Sequence, residues 1–454
     1  MNKQSISALT TESSILLRLA LPILFAQLAL TGLGVVDTLM SGWVGTDDLA
    51  AIGLGSSMML PIFMISTGIL LVITPLVAKA KGQSKPKRIT RFLNQGLWLA
   101  VPLGFLSLIA MMNLQWVLDL LSLNTDVYQL TNDYLFYIAF GMPAIALYQA
   151  LRFFWEGLGT TLPTMWISFI ALLLNIPLNA LFIYGYGPIE GMGAAGCGVA
   201  SSLVMWAMFF IGLIYVMKSS LTKPFLVLSK ALRPKWQYGL RPILSLGIPN
   251  TLALLFEVSL FSMIALFVAP LGSVVLAGHQ VAINFTSLAF MVPLSIAMAL
   301  TVRVGLGYGE KSIQQIRLSL VAGFMFALLA GGGLALLSYF LRIDIVSLYS
   351  DDNSVITIAA SLLVFAAIYQ VFDAIQVTAA GALRGFHDTK VTMVVTFISY
   401  WGIGLGLGYI FAFTDLFLPA MGVQGFWLGI VLGLTLAAIL LSIRLKRIYD
   451  GVFR

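Results

Sequence analysis

Twelve times along this 454-residue chain the sequence stays apolar for about 20 residues or more, the length that carries an α-helix across a ~30 Å hydrocarbon layer. The runs lie at about 15–42, 49–78, 92–112, 133–156, 163–185, 194–217, 242–269, 276–302, 317–341, 356–382, 391–414 and 421–443. No interval between them is long enough for a soluble domain. With 60% hydrophobic and only 9% charged residues, the chain also lacks the polar material to coat a water-soluble core. It reads as an all-α integral membrane protein. The start, MNKQSISALTTESS, has no basic stretch feeding a short apolar segment and a small-residue cleavage site, so no removed signal peptide is expected.

A net charge of +7 invites a nucleic-acid reading, but the placement of the charge argues otherwise. With a cytoplasmic amino terminus and twelve crossings, every Lys and Arg except Arg342 falls on the cytoplasmic side or at its helix ends, as the positive-inside rule requires. Both termini are then cytoplasmic. The basic loops are 79–91 and 218–241, the latter with Lys218, Lys223, Lys230, Arg233, Lys235 and Arg241, and topology together with attraction to anionic lipid accounts for them. Asp47, Asp48, Asp351 and Asp352 fall outside. The lone Cys197 excludes an internal disulfide and reads as a small packing residue. His279 and His387 are too few and too far apart for an ordinary protein metal site, and His387 reads as a solvated loop residue.

The chain repeats itself. Pro22, Gly45, Leu49, Ala50, Thr74 and Gly82 match Pro249, Gly272, Leu276, Ala277, Thr301 and Gly309 at a displacement of 227. Gly157, Thr161 and Thr164 match Gly385, Thr389 and Thr392 at 228, and Met192, Gly193 and Gly196 match Met421, Gly422 and Gly425 at 229. The expected organisation is two six-helix bundles, 1–217 and 242–454, joined by a basic cytoplasmic linker at 218–241. Six is even, so both copies insert the same way up and should be related by a pseudo-two-fold along the membrane normal, a plan suited to rocker-switch alternating access.

Three acids lie inside the apolar runs: Asp37, Glu257 and Asp373. Asp37 precedes the external Asp47 by ten residues, so helical rise puts it ~15 Å deeper. A carboxylate there costs ~2.5–3.5 kcal/mol on insertion scales unless it meets water or a partner. No Lys or Arg is expected at comparable depth, Arg18 and Arg152 coming nearest, so the partners should be mobile: protons, Na⁺ or a cationic substrate. Tyr369 shares a helix face with Asp373, and Asn175 shares one with Asn179 around Pro177, which frees the carbonyl of Leu173. Such oxygen clusters suit Na⁺, and Glu257 with Asp373 is the candidate metal pair. Phe256, Phe261, Phe285 and Phe290, with Gln280 and Asn284, are candidates for the wall of a substrate cavity, where aromatic faces attract organic cations.

Asp37 in VVDTLMSGWVG, Glu257 in IPNTLALLFEVS, GHQVAINF at 278–285, Asp373 in YQVFDAIQ and ALRGFHDTK at 382–390 closely resemble the multidrug and toxic compound extrusion (MATE) family, in particular its NorM branch. The resemblance spans essentially the whole chain. It implies a multi-pass protein of the bacterial cytoplasmic (inner) membrane that needs no cofactor and exchanges Na⁺ or H⁺ for organic cations such as dyes and fluoroquinolones, a route to antibiotic resistance. It further implies a C-terminal cation site of Glu257, Asp373 and Tyr369 with Phe290, and an N-terminal site of Asp37, Asn175 and Asn179. Other branches place an aspartate where this chain has Asn179, which weakens the case for proton coupling at the N-terminal site alone.

Rival readings fare less well. An ATP-driven exporter needs a GxxxxGK[ST] loop and a soluble domain, and neither is present. A lipid-linked oligosaccharide flippase of the same superfamily calls for basic residues facing its pyrophosphate. A major facilitator carrier calls for a Gly-x-x-x-Asp-Arg pattern that loop 79–91 lacks. An intramembrane enzyme would need a nucleophile and base or a metal cluster, and a receptor has no evident use for a duplicated bundle. The expected partners are therefore small organic cations, the coupling ion and the lipid bilayer, with no nucleic acid and no obligate protein partner.

Overall fold

The computed structural model describes residues 3–121, 123–225 and 233–452; Lys230 and the rest of 226–232 in the linker lie outside the described residues. It is almost entirely helical. Eleven helices are long and apolar enough to span a membrane: α1 (Ile6–Gly42), α2 (Thr46–Gly82), α3 (Pro86–Leu120), α5 (Leu162–Tyr184), α6 (Ala194–Lys218), α7 (Trp236–Leu271), α8 (Ser273–Glu310), α9 (Ile313–Phe340), α10 (Asn353–Gly385), α11 (Thr389–Phe413) and α12 (Val423–Gly451). The twelfth, α4, is a bent pair, Thr125–Ala139 and Met142–Gly157, that turns by 46°. Its break has a local cause: Pro143 has no N–H to give the carbonyl of Ala139, and Gly141 relaxes the turn between.

The helices run longer than the apolar stretches that foretold them. At 1.5 Å per residue the 38-residue α8 is ~57 Å long, so its basic end stands clear of the hydrocarbon. The polar start is helical too. Glu12 is buried and pairs with Arg303, whose Nε lies 2.7 Å from Oε1, while Ser319 donates to the same carboxylate. A two-stranded antiparallel hairpin, β1 (Gly185–Tyr186) with β2 (Ile189–Glu190), adds the only strands among the described residues. Large apolar side chains such as Leu106, Trp166, Leu266, Leu329 and Phe340 stand exposed, which is tolerable in lipid and not in water.

The chain packs into two compact units, Phe25–Thr251 and Met1–Leu24 with Leu252–Arg454. In the first, the second half of α4 is buried almost end to end and centres the packing, with Tyr148, Phe153, Phe154 and Trp155 enclosed. In the second, α10 packs against α8, α9 and α12, and the core gathers Leu260, Ile264, Tyr400, Phe426 and Trp427.

The matched residues of the repeat do matched work inside each unit. Thr74 donates to the carbonyl of Phe153 at 3.1 Å, and Thr301 to that of Gly381 at 2.8 Å. Met192 and Gly193 donate to Phe182 and Ile183; Met421 and Gly422 donate to Phe411 and Ala412 over the same distances. Gly193 and Gly422 both need glycine, with φ of +56° and +61°. Gly196 and Gly425 each lie where a Cβ would strike the backbone of the preceding helix, at Phe182 and at Phe411–Ala412. These glycines are fixed close-packing points.

Candidate functional site

The N-terminal acid is held by a cradle of neutral donors. Asp37 lies near the end of α1 and is buried, 8% exposed. Its Oδ1 accepts from Asn175 Nδ2 at 3.0 Å and Asn179 Nδ2 at 2.7 Å, both on one face of α5, and its Oδ2 accepts from Ser201 Oγ on α6 at 3.0 Å. Asn179 Nδ2 also reaches Asn175 Oδ1 at 3.1 Å. The spacing of four residues brings both amides to the same carboxylate. Just beyond Asn179 the helix widens into a π-helical stretch over Ala180–Tyr184, a deformation that often accompanies functional sites. Asn179 Oδ1 is buried and has no hydrogen-bond partner, leaving one uncommitted oxygen beside the carboxylate.

The C-terminal acids sit in a different setting. Asp373 on α10 is buried, and its Oδ1 accepts from Gln376 Nε2 at 3.0 Å. Glu257 on α7 is partly buried and within electrostatic reach of both Asp373 and Arg384. Tyr369, four residues before Asp373, is buried with its ring 6.0 Å from Trp427, whose indole N–H donates to His279 Nδ1 at 3.1 Å. His279 is thereby a buried packing partner of Trp427. Tyr400, buried on α11, lies within electrostatic reach of Glu257 and Asp373, and sequence reasoning missed it. It belongs to a nine-residue π-helical stretch, Phe397–Leu405, that apolar periodicity does not reveal.

The expected absence of deep basic partners needs correcting. Arg384, at the end of α10, interacts with Glu257. Arg152 is buried but serves Glu156, at 2.7 Å, and Glu156 also accepts from Thr164. Arg18 is exposed. Asp37 keeps amides and a hydroxyl as partners, whereas Glu257 has a cation within reach.

The candidate cavity residues divide. Phe256 packs against Phe397 with ring centroids 5.0 Å apart. Phe261 and Phe285 pack against the core of their unit, Phe290 is partly buried, and Gln280 and Asn284 are exposed, with Asn284 Nδ2 donating to the Gln280 carbonyl. Among the described residues no group of three or more His, Cys, Asp or Glu side chains could hold a metal, so an ion bound here would draw on tyrosine, amide or backbone oxygens beside the acids.

The family model described as MatE matches twice, over residues 22–181 and 249–410, the two matches opening on Pro22 and Pro249, the first matched pair of the repeat. A relative from Shewanella oneidensis named as a probable multidrug resistance protein NorM is 43% identical, covering 95% of this chain and 94% of that protein. One of the same name from Idiomarina loihiensis is 41% identical over 96% and 94%. A solved transporter of the MOP superfamily from Pyrococcus furiosus superposes with a TM-score of 0.88 at 20% identity, covering 98% of this chain and 97% of that one. That structure is described as having a binding pocket of reverse polarity that suggests a different function, so the shared fold by itself does not fix the cargo.

Proposed function

The chain belongs to the MATE family, in its NorM branch, and from that premise we propose that it is a multidrug antiporter of the bacterial inner membrane that exchanges inward Na⁺ or H⁺ for outward organic cations. The observation that carries the reading is the placement of Asp37, Glu257 and Asp373 inside the spans, the first held by neutral donors, Asp373 by Gln376, and Glu257 within electrostatic reach of Asp373 and Arg384. Carboxyls kept at such cost are of use to a transporter because their occupancy can change. Ion and drug need not touch the same atoms. Each need only favour opposite-facing states, and the acids supply the difference in affinity.

Na⁺ is our choice of coupling ion at the C-terminal cluster, where Glu257, Asp373, Tyr369 and Tyr400 gather hard oxygen donors from three helices. Phe256 and Phe290, on α7 and α8, supply aromatic faces for a flat cation. The flippase alternative wants basic groups free to meet pyrophosphate, yet Arg152 and Arg303 are tied to Glu156 and Glu12, and Arg384 lies near Glu257.

Efflux of a fluorescent organic cation from protein-only liposomes, under an imposed Na⁺ gradient and then an imposed pH gradient, tests the proposal beside Asp37→Asn, Glu257→Gln and Asp373→Asn. Na⁺-driven efflux that vanishes in the Glu257 and Asp373 variants is the expected result. Efflux driven by pH alone and lost chiefly in Asp37→Asn would move the coupling to the N-terminal site, and folded protein that moves no cation under either gradient would overturn the antiporter.

A further inference from the structure

A cleft of about 280 Å³ opens between α9 and α12, lined by Leu320 and Phe324 on one side and Ser442, Leu445, Lys446 and Tyr449 on the other. Both helices pack on α10, which seats them side by side in the same unit. Spacing orders the lining by depth. Leu320 and Phe324 lie at i and i+4 on one face of α9, with Arg317 on that face one turn before Leu320 and just outside the lining, and Ser442, Leu445, Lys446 and Tyr449 fall at i, i+3, i+4 and i+7 on one face of α12. The cationic and phenolic groups thus cluster at one end of the cleft, next to the start of α9 and the end of α12, and the apolar groups line the part farther into the span. Arg317 and Lys446 are exposed.

We propose that this cleft holds one anionic glycerophospholipid of the cytoplasmic leaflet, its phosphate at Lys446 with Arg317 at the mouth, and one acyl chain along Leu320, Phe324 and Leu445. The inference takes from the proposed function only its sidedness, a cytoplasmic carboxyl terminus. Three features select this occupant. The site lies where a span meets the interface, so its polar end sits at headgroup level and its apolar end among acyl chains. Two cations against one phosphate give charge complementarity that a zwitterionic headgroup meets only in part, each basic side chain near an anionic surface contributing ~1 kcal/mol. Tyr449 lines the same end of the cleft, and an amphipathic aromatic is the usual residue at a membrane boundary. Shifting back by the repeat displacement of 229 puts Met217 in the place of Lys446, so the first repeat lacks the central cation.

The test is lipid retention. Full-length protein reconstituted in vesicles of equal parts phosphatidylglycerol and phosphatidylcholine is released and weighed by native mass spectrometry, without any transport measurement. Wild type should retain one phosphatidylglycerol per chain in preference to phosphatidylcholine. Lys446→Ala and Arg317→Ala should each lower that retention on the order of fivefold. Leu320→Trp fills the apolar half and leaves both charges in place; it should lower retention as well, with its melting temperature in detergent confirming the fold. Lys390→Ala, a basic change elsewhere at the same membrane side, should leave retention unchanged. Equal losses in Lys390→Ala and Lys446→Ala, or full retention in Leu320→Trp, would reduce the effect to general surface charge and overturn the site. Displacement of the lipid by free glycerol phosphate would do the same, since it would leave the acyl chain without a role.

Discussion

The two halves of this chain share a scaffold and differ in where they keep their acids. Carried forward by 227, Asp37 lands on Ile264; Ser201 carried by 229 lands on Ile430. Asn175 and Asn179 land on Ile403 or Gly404 and on Leu407 or Gly408, according to which side of the small drift they fall. The whole cradle of the first repeat is thus replaced in the second by side chains that cannot hydrogen-bond, and Ile264 and Ile430 are fully buried core residues there. The reverse also holds, for Glu257 carried back meets Leu30 and Asp373 meets Ile145 or Ala146. By contrast Thr74 with Thr301, Gly193 with Gly422 and Gly196 with Gly425 keep both residue and contact. Duplication preserved the packing points and let the ionisable sites diverge, so each half can be asked separately what its acids do.

The harshest way to break that comparison is Ile264→Asp. The new carboxylate would be buried among Leu260, Tyr400 and Trp427 with none of the donors that Asp37 enjoys, and should cost about 3 kcal/mol or more. The expected outcome is a sharp loss of folded protein in detergent, read by gel filtration and melting temperature. Adding Leu407→Asn and Ile430→Ser should recover part of the loss. A single Ile264→Asp that folds as well as wild type would mean that the second repeat can satisfy an acid there without the cradle.

Next in size is the response to Na⁺ itself. A ligand that binds only the folded protein stabilises it by ~2.7 kcal/mol at a hundred times its Kd. Na⁺ should raise the melting temperature of the wild type, and Glu257→Gln or Asp373→Asn should erase that rise while Asp37→Asn keeps it. A rise lost only in Asp37→Asn would reverse the assignment of the two sites. Tyr400→Phe sharpens the same contrast on a smaller scale. Removing one phenolic oxygen near the two acids should weaken the Na⁺ midpoint about fivefold, the equivalent of ~1 kcal/mol, whereas Ser201→Ala should leave that midpoint unchanged.

These expectations depend on residues of unequal visibility in the sequence. The spans and the repeat could be read from apolar length and a steady displacement, because lipid demands the first and shared packing preserves the second. Asp37, Asn175 and Asn179 were legible because an acid in an apolar run is costly and two amides four apart must share a helix face. Ser201 was not, since a serine in a small-residue helix reads as packing until a carboxylate is found beside it. Tyr400 and Arg384 were hidden for another reason: one lies in a π-helical stretch whose register departs from 3.6 residues per turn, and the other sits in the last turn of α10, beyond the apolar run that ends at about 382. The helical start was missed because Glu12 looks like solvent-facing polarity and turns out to be matched by Arg303 and Ser319, nearly 300 residues later. Local periodicity carries no trace of a partner so distant.

The smallest effect tests the other half of the comparison, that preserved contacts are energetically preserved. Thr74→Val and Thr301→Val each delete a hydroxyl that bonds the carbonyl of α4 or α10, and a neutral buried hydrogen bond is worth ~1 kcal/mol. Thr301 also reaches the carbonyl of Ala297 within its own helix, at 2.9 Å, so part of its bonding is local. Both variants should lower the melting temperature, with Thr301→Val equal to or somewhat milder than Thr74→Val, and neither should shift the Na⁺ midpoint. A large gap between them would mean that the repeat keeps its geometry without keeping its energetics. A shift in the Na⁺ midpoint from either would tie the packing points to the acids after all, and the separation between scaffold and site would fail.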